Sequence, residues 1–459
     1  MERKTVSGIM IALLLISMAL MVNLPITKAS GTIYIRADGS IDPSTAPIQR
    51  DGDIYTLTGN ITSDADGIVI ERDNMTLDGK GYSIQGAKVA YSIGIYLIER
   101  TNVTIRNTRI EKFDYGIELL RSSNNTISEN NVTDNHTGGI CFEESSDNSI
   151  AGNNVTKSVS YGIWLLDSSN NRITKNDIRN GKYDGIFLYY HSVDNSITEN
   201  NITSNGNWAI YLFYCSDNNT ISKNNVILNA GTIYLYESCF TNRIYHNNFV
   251  NNTEPVVASN LANIWDDGYP SGGNYWSGYT GGDLCRGQYQ NETGSDAIGD
   301  MPYIIDVNNQ DGYPLMGLFG GLTTEGKNST AFPSDDLCLI FENVTIGGLT
   351  TVNKTETGPE PPHGFKLAEQ YYNIETTANY TGIIKIRIIY DDSNMTPEEE
   401  NSLQLLQWNE TSQQWMDITT LLDTKSNVIC GETVHLCTFA IMMAKAFEVG
   451  GGSRVPLSV

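Results

Sequence analysis

The sequence is poor in cysteine and histidine. Its 459 residues include 7 Cys and 5 His, and no C-x-x-C pair occurs. Because the histidines lie far apart in the chain, no zinc or copper cluster is predicted. The odd number of cysteines leaves at least one unpaired, which argues against a disulfide scaffold.

Positive charge is also scarce. There are 29 Lys and Arg against 53 Asp and Glu, which gives a formal net charge of -24. Nucleic acid is therefore not expected as a partner, because its phosphates are held by basic side chains. An acidic surface of this kind favours solubility or attracts divalent cations.

Long apolar runs are missing except near the start, where a run of 14 residues, apolar except for Ser17, extends from Ile9 to Val22 after Arg3 and Lys4. That run is shorter than the ~20 residues that span a bilayer. The small-residue exit at Ala29 completes the layout of a secretory signal. We therefore predict a cleaved signal peptide over 1–29 and an extracellular or cell-surface mature chain with no transmembrane anchor.

An internal repeat of about 23 residues covers the middle of the chain. One apolar column, in which each residue follows a small one, consists of Ile95, Ile117, Ile140, Ile163, Ile186, Ile210 and Ile233. A second column consists of Ile105, Ile127, Ile150, Ile173, Ile197, Ile221 and Ile244, and a third of Ile110, Val132, Val155, Ile178, Ile202, Val226 and Phe249. Short alternating segments without helical spacing predict three strands per coil of a parallel β-helix.

An asparagine column runs through the same repeat. Its predicted members are Asn107, Asn130, Asn153, Asn176, Asn200, Asn224 and Asn247. Asparagine tolerates left-handed backbone, and its amide can both donate to and accept from the same turn one coil away. The column predicts a structural ladder of stacked turns.

The predicted fold is all-β, a right-handed parallel β-helix followed by a smaller β-sandwich-like domain. After the signal peptide we expect an N-terminal cap over 30–64 and the β-helix with an acidic loop segment over 65–319. A polar linker is expected over 320–334 and a β-sandwich-like accessory domain over 335–459. In that domain Thr396 and Pro397 predict the start of a short helix.

The wording of the repeats and of the segment after the last coil resembles a known family. The most specific stretches are Gly273-Asn274-Tyr275-Trp276-Ser277-Gly278-Tyr279, Ile298-Gly299-Asp300-Met301-Pro302-Tyr303 and Asp311-Gly312-Tyr313-Pro314-Leu315. They are similar to the ending of NosD-like right-handed parallel β-helix proteins, which have a pectin-lyase-like fold and are common among archaeal secreted proteins. The resemblance implies fold, export, and carbohydrate-related or copper-related work. It implies no single reaction, because the family is functionally diverse.

Strand alternation predicts an aromatic outer face on the first strand of each coil. The candidate carbohydrate-binding residues on this face are Tyr96, Trp164, Phe187, Tyr189, Tyr211, Phe213, Tyr234 and Tyr236. A row of aromatic rings at coil spacing suits a linear polysaccharide or surface glycan. The alternative is that the C-terminal domain or a protein partner covers the face.

Glu118 and Glu143 are the candidate catalytic pair, because glycoside cleavage uses two carboxylates. The neighbouring positions Glu99, Arg121 and Glu144 instead indicate a charge ladder across coils. We therefore expect a non-catalytic role in carbohydrate binding or surface structure. The alternatives are a polysaccharide lyase, hydrolase or epimerase, and an accessory factor in copper-enzyme maturation, which is implied by the resemblance alone.

The acidic segment offers hard oxygen ligands, and Ca²⁺ is the cofactor it suggests. The candidate ligands are Asp296, Asp300, Asp306 and Asp311. The alternative is that these carboxylates form Asx-turns that shape the loops. Sequons for N-glycosylation, such as Asn60, Asn131 and Asn409, permit glycosylation of an exported chain, although a repeat rich in Asn and Thr generates them by itself.

If calcium orders residues 283–311, thermal melting in saturating calcium should occur at a higher temperature than melting in chelator. A ligand present at about 100 times its dissociation constant stabilises the folded state by about 2.7 kcal/mol. Equal melting temperatures in calcium and in chelator would reject the calcium site.

Overall fold

The computed structural model describes residues 31–259 and 261–445, so the predicted signal peptide lies outside the described residues. The chain divides into two compact units, one comprising residues up to 265 together with 304–310, and the other comprising 266–303 together with 311 onward. None of the helices in the described part has the length and apolarity needed to cross a membrane.

The first unit is a parallel β-solenoid whose coils each contribute one strand to three sheets. We call the sheet built from six-residue strands the long-strand sheet. In spatial order its strands are Ile41–Asp42, Ile33–Ile35, Ile68–Ile70, Ile93–Ile98, Tyr115–Leu120, Gly138–Glu143, Tyr161–Leu166, Asp184–Tyr189, Trp208–Phe213 and Gly231–Tyr236.

Two sheets of shorter strands complete each coil. The first contains Ile48–Asp51, Ile54–Leu57, Met75–Asp78, Val103–Arg106, Thr126–Ser128, Ser149–Ala151, Arg172–Thr174, Ser196–Thr198, Thr220–Ser222 and Arg243–Tyr245. The second contains Ile61–Thr62, Ser83–Gln85, Arg109–Glu111, Asn131–Thr133, Asn154–Thr156, Asp177–Arg179, Asn201–Thr203, Asn225–Ile227 and Asn248–Val250.

The predicted apolar columns are confirmed. Ile127 pairs in register with Ile150, Ile150 pairs with Ile173, and all three side chains are fully buried. Parallel in-register stacking places equivalent residues directly above one another, so each column becomes a continuous apolar stack. The three columns together form the interior of the solenoid.

Steric crowding explains why a small residue precedes each isoleucine of the first column. A Cβ at Gly162 would lie 2.5 Å from the backbone oxygen of Gly185 in the next coil and 2.6 Å from Cγ2 of Ile178. Contacts this short are not tolerated in close-packed interiors. Glycine at this position therefore lets the coils approach each other at the corner of the solenoid.

The asparagine ladder is present but begins at a different residue. The backbone N–H of Asn130 donates to Oδ1 of Asn153 over 3.0 Å, and the N–H of Asn153 donates to Oδ1 of Asn176 over 2.9 Å. The predicted first member, Asn107, was wrong, because the N–H that donates to Oδ1 of Asn130 belongs to Thr108.

The left-handed backbone also lies one residue away from the ladder. Asn107 has φ 52°, and its equivalents Glu129 and Lys175 have φ 56° in both cases, whereas the ladder asparagines that follow them do not have positive φ. The ladder positions therefore require the asparagine amide, whereas the residues before them adopt the left-handed backbone conformation.

A second ladder marks another corner of each coil. It starts at Asn125 and continues through Asn148, Asn171, Asn195, Asn219, Asn242 and Asn263. The sequence analysis missed this second column. At its end the N–H of Asn263 and Nε1 of Trp265 both donate to Oδ1 of Asn309, at 3.1 and 2.9 Å.

The predicted N-terminal cap is largely a coil of the solenoid. Its strand Ile33–Ile35 pairs in parallel with Ile68–Ile70, as an ordinary coil would. Only its outermost strands, Ile41–Asp42 and Ile48–Asp51, pair antiparallel. These two antiparallel strands cover the exposed sheet edges that an open solenoid end presents.

The second unit contains two antiparallel sheets packed around one apolar core. One sheet contains Leu322–Thr323, Gly348–Thr355, Phe365–Thr376, Thr438–Ala444, Gln404–Asn409 and Gln414–Asp417. The other sheet, which we call the five-stranded sheet, contains Gly326–Ser334, Leu337–Ile346, Asn379–Ile389, Val428–Thr433 and Thr419–Asp423. The predicted short helix, Pro397–Glu400, begins after Thr396 with the capping box closed by Glu399.

The polar linker predicted over 320–334 was wrong, because most of it is strand. Gly326–Ser334 pairs antiparallel with Leu337–Ile346, and its residues Ser329 to Phe332 are buried. Small polar residues such as Ser329 and Thr330 are typical of linkers, so the sequence alone did not predict that they would be buried in a strand. The strand is therefore an integral part of the second unit.

Residues 283–303 of the acidic loop segment belong to the second unit and 304–310 to the first, although the sequence assigned the whole segment to the β-helix. The segment contains the short strands Cys285–Arg286 and Glu292–Thr293 and the hairpin of Tyr303–Asp306 with Asn309–Asp311. Ala297 and Leu315 pack against Cys338 and Ile340 of the five-stranded sheet. The segment thus covers the outer face of that sheet.

Replacing Asn200 with Ala should lower the free energy of unfolding by about 2–4 kcal/mol. The change leaves the N–H of Asn176 and the carbonyl of Ile173 buried without their partners at 3.0 and 2.9 Å. The neighbouring exposed residue provides the control, because Asn201 makes one side-chain bond, to Asp177. Urea unfolding should leave Asn201→Ala within about 0.5 kcal/mol of wild type, and equal effects of the two changes would contradict the ladder account.

Candidate functional site

The outer face of the long-strand sheet gathers all the aromatic residues that the sequence singled out. The middle outward column reads Tyr96, Glu118, Cys141, Trp164, Phe187, Tyr211 and Tyr234. The column two residues later reads Ile98, Leu120, Glu143, Leu166, Tyr189, Phe213 and Tyr236. The face is therefore aromatic over its later coils and carries Glu118 and Glu143 over its earlier ones.

The aromatic rings stack on one another along the solenoid. In the middle column the ring centroids of Phe187 and Tyr211 are 4.8 Å apart, and those of Tyr211 and Tyr234 are 5.0 Å apart. In the outer column Tyr189 and Phe213 stack at 5.5 Å with an interplanar angle of 10°. Because each ring face covers the next, a ligand approaching the middle of either row meets ring edges and hydroxyls.

A third column closes the band on its other side. The ring of Tyr161 lies 4.9 Å from that of Phe187, and the ring of Trp208 lies 4.9 Å from that of Tyr234. Phe187 is consequently 7% exposed although it points outward. Stacked and offset ring pairs of this kind each add about 0.5–1.5 kcal/mol beyond area burial.

The tyrosine hydroxyls of the band are available to a ligand. Within the residues that the structure describes, no hydrogen bond joins the hydroxyl of Tyr189, Tyr211 or Tyr234 to another protein group. Burial raises the pKa of Tyr211 to about 12, and the neighbouring Tyr234 adds to the effect. The Tyr211 hydroxyl is thus neutral at physiological pH, and a tyrosine hydroxyl can both donate and accept.

Glu118 lies in a setting that favours its protonated form. Burial, followed by the nearby charges of Glu143, Asp66 and Asp114, raises the pKa of Glu118 to about 7. Glu118 pairs in register with Cys141, whereas Glu143 pairs with Leu120, so the two carboxylates are diagonal neighbours. A carboxyl that titrates near neutrality beside a second carboxylate has the properties of a general acid or base.

On the early coils Asp114 also holds a histidine that the sequence analysis passed over. Nδ1 of His136 is 3.2 Å from Oδ1 of Asp114, which also accepts from the hydroxyl of Thr137 at 2.6 Å. The His136 side chain is 72% exposed and lines a groove of about 450 Å³ together with Tyr115. The sequence feature that could have predicted this pair is the spacing of 22 residues between Asp114 and His136, which is the length of one coil.

The charge ladder predicted on the adjoining positions is confirmed. Arg121 lies 3.4 Å from Glu99 and 3.7 Å from Glu144, one coil to either side. Lys175 and Glu199 form a second cross-coil pair at 3.4 Å. All of these side chains are largely exposed, so each pair contributes no more than about 1 kcal/mol.

The structure does not bring the four predicted calcium ligands together. In 31–259 and 261–445 no three His, Cys, Asp or Glu side chains form a group suited to a metal ion. Asp300 accepts from the backbone N–H groups of Leu284 and Cys285, and Asp311 from that of Asn274. Asp296 accepts from Gln290 and Ile298, and Asp306, which falls in the first unit, accepts from Asn308 and Asn309. Calcium binding stays a prediction from the sequence.

The contacts of Asp311 explain the most specific sequence motifs that follow the last coil. Its fully buried carboxylate accepts from the backbone N–H of Asn274 at 2.7 Å, from Nε1 of Trp276 at 2.8 Å and from the N–H of Tyr313 at 3.1 Å. The G-N-Y-W and D-G-Y-P-L stretches therefore meet at one buried carboxylate, which is a structural role.

Two family profiles match the chain. Residues 66–214 match the right-handed β-helix region, and residues 210–281 match the periplasmic copper-binding protein NosD. The parallel solenoid defines a β-helix protein. With both matches, the chain fits the NosD-like β-helix family, and the periplasmic description of that family fits an exported protein. No curated protein matched the chain.

Solved structures similar to the chain include polysaccharide-acting enzymes and a tailspike. The periplasmic alginate epimerase AlgG is 18% identical, with 49% of this chain and 70% of that chain covered and a TM-score of 0.34. The Dettilon tailspike protein is 13% identical over 91% of this chain and 85% of its own, with a TM-score of 0.41. Pectate lyase Pel9A is 14% identical over 53% and 81%, with a TM-score of 0.31. Nothing about activity follows from likenesses at this level.

Stability should depend on pH through Glu118. Because its folded-state pKa of about 7 lies above the ordinary value of 4.5, the folded state binds a proton that the unfolded state has released between these pH values. The free energy of unfolding should therefore fall as pH rises from about 4.5 to about 7. Glu118→Gln should remove this component of the fall, while the exposed Glu129→Gln should follow wild type. Urea unfolding at pH 4.5, 6 and 7.5 measures the effect, and parallel curves for wild type and Glu118→Gln would contradict it.

Proposed function

We propose that this chain is an exported protein that binds carbohydrate on the outer face of its long-strand sheet without cleaving it. The observation that carries the proposal is the band of stacked rings, in which the hydroxyls of Tyr189, Tyr211 and Tyr234 have no protein partner within the part of the chain that the structure describes. A wide, partly exposed aromatic surface is unusual on a soluble solenoid and marks an interaction site. Sugar hydroxyls, which donate and accept in the same way as tyrosine hydroxyls, are suitable partners for it.

The stacking determines how a glycan would bind. Ring faces within the rows are already covered, at centroid distances of 4.8 to 5.7 Å. A linear glycan would therefore lie along the ring edges, hydrogen-bonded to Tyr189, Tyr211 and Tyr234. Glu118 and Glu143 on the same sheet, and the net charge of -24, favour a neutral glycan over a polyanion.

The second candidate function is a polysaccharide lyase, hydrolase or epimerase at the early coils. Glu118, with its pKa raised to about 7, is the specific observation in its favour, and His136 held by Asp114 adds a possible proton carrier. The charged groups that shift the pKa of Glu118, which are Glu143, Asp66 and Asp114, are all acidic, and this favours binding over catalysis. Copper-enzyme maturation has only the description of the matched family behind it.

Glycan-array screening of the mature chain should identify a neutral oligosaccharide ligand. Replacing Tyr211 and Tyr234 with Phe removes two hydroxyls but keeps the stacked rings, so folding should be unchanged. Each lost hydrogen bond should weaken binding by about 0.5–1.5 kcal/mol, which calorimetry can measure. Tyr289→Phe is the matched control, because Tyr289 is 78% exposed in the second unit.

The possible outcomes separate the proposals. Wild-type affinity in the Tyr211→Phe/Tyr234→Phe variant would contradict glycan binding at the band, and the absence of any glycan ligand would favour a protein partner on this face. Release of shortened, unsaturated or epimerised sugar by wild type but not by Glu118→Gln would establish the enzyme instead.

A further inference from the structure

We propose that the second unit contains a binding cavity for a small carboxylate ligand, organised around Arg387. The cavity belongs to the C-terminal unit and is independent of the function proposed for the solenoid face. It rests on one buried arginine, the space beside it and the side chains that surround that space.

Strand alternation places Arg387 on the covered face of the five-stranded sheet. Its neighbours Ile386 and Ile388 are fully buried in the core between the two sheets. Arg387 therefore points to the opposite face, where it lies in register between Cys338 and Cys430 on the flanking strands. That face is the one on which the acidic loop segment packs.

The guanidinium is buried with few partners. Arg387 is 7% exposed, and its Nη2 donates a hydrogen bond to the carbonyl of Pro270 over 2.6 Å. Its Nε is buried without a partner, and the ring of Tyr269 lies 5.8 Å from Cζ. A buried donor without a partner is costly, so the Nε–H of Arg387 is a group that a ligand could satisfy.

Space for a ligand adjoins this arginine. A cavity of about 230 Å³ is lined by Arg387, Tyr269, Arg286, Lys385 and Asp296 together with apolar residues of the sheet. Its volume is below the ~300–1,000 Å³ of sites for drug-sized ligands, which indicates a ligand no larger than one sugar acid. A larger space of about 680 Å³ shares Lys385 with it.

The lining favours a carboxylate. Three cationic side chains face the cavity, and a guanidinium fork binds the planar carboxylate with two parallel hydrogen bonds. Three acidic side chains, Asp296, Asp423 and Glu432, also line the cavity. Asp296 accepts from Gln290 and from the N–H of Ile298, and Asp423 accepts from the N–H groups of Lys425 and Ser426. Glu432 lies in register beside Lys385 on the neighbouring strand. The Nε–H of Arg387 is therefore the donor that a bound carboxylate would satisfy.

The test is calorimetric titration of the full mature chain with acetate, D-galacturonate, D-galactose and sulfate. We expect acetate and galacturonate to bind, and galactose not to bind. Arg387→Met, which keeps the volume and removes the buried charge, should fold with unchanged or higher thermal stability and should lose at least tenfold in affinity. Arg179→Gln in the solenoid is the control and should bind as wild type does.

Lys385→Met provides a second variant in case Arg387→Met fails to fold, and it should weaken binding several-fold. Wild-type affinity in a folded Arg387→Met or Lys385→Met chain would overturn the proposal. Binding of sulfate without either carboxylate, or of galactose as tightly as galacturonate, would overturn the assignment to carboxylates, as would the absence of any binding by wild type.

Discussion

The rest of the structure depends on one interaction, the hydrogen bond from the backbone of one coil to a buried asparagine amide of the next. The side-chain amide of Asn176, for example, accepts from the backbone N–H of Asn153 in the coil before it and donates to the carbonyls of Ile150 and Thr174. The backbone N–H of Asn176 in turn donates to Oδ1 of Asn200 in the coil after it. A slip of one residue would leave these groups unpaired in an apolar interior, where each costs about 1–3 kcal/mol. The ladder therefore fixes the register, and fixed register stacks equivalent side chains in rows. The aromatic band, the charge ladder and the Asp114–His136 pair all follow from that register.

Much of the solenoid could be predicted from the sequence because in-register pairing between coils produces a regular spacing of equivalent residues along the chain. The apolar columns and the aromatic outer face were correct for this reason. Asn107 was misassigned because the left-handed position and the ladder position are adjacent, and both accept asparagine; Thr108 shows which one carries the ladder. The strand at 326–334 was missed because its burial depends on packing partners that are distant in sequence. The setting of Arg387 was unpredictable for the same reason, since Pro270 lies 117 residues away.

The outer face of the long-strand sheet combines two kinds of surface with different chemistry. Over the later coils, stacked rings leave edges and hydroxyls exposed, which suits recognition. Over the earlier coils, Glu118 is a carboxyl with a pKa of about 7, and Asp114 orients His136. The aromatic part is the proposed binding surface because it extends across more coils and because, in residues 31–259 and 261–445, the hydroxyls of Tyr189, Tyr211 and Tyr234 have no protein partner.

Radical footprinting of tyrosine side chains, with and without a glycan selected on the array, tests the central claim most directly. The account predicts that Tyr189, Tyr211 and Tyr234 become protected together on binding. Tyr91 and Tyr289, which are 84% and 78% exposed elsewhere on the chain, should keep their reactivity. Protection of Tyr91 or Tyr289 with no change along the aromatic band would contradict the claim that this face is the carbohydrate-binding surface.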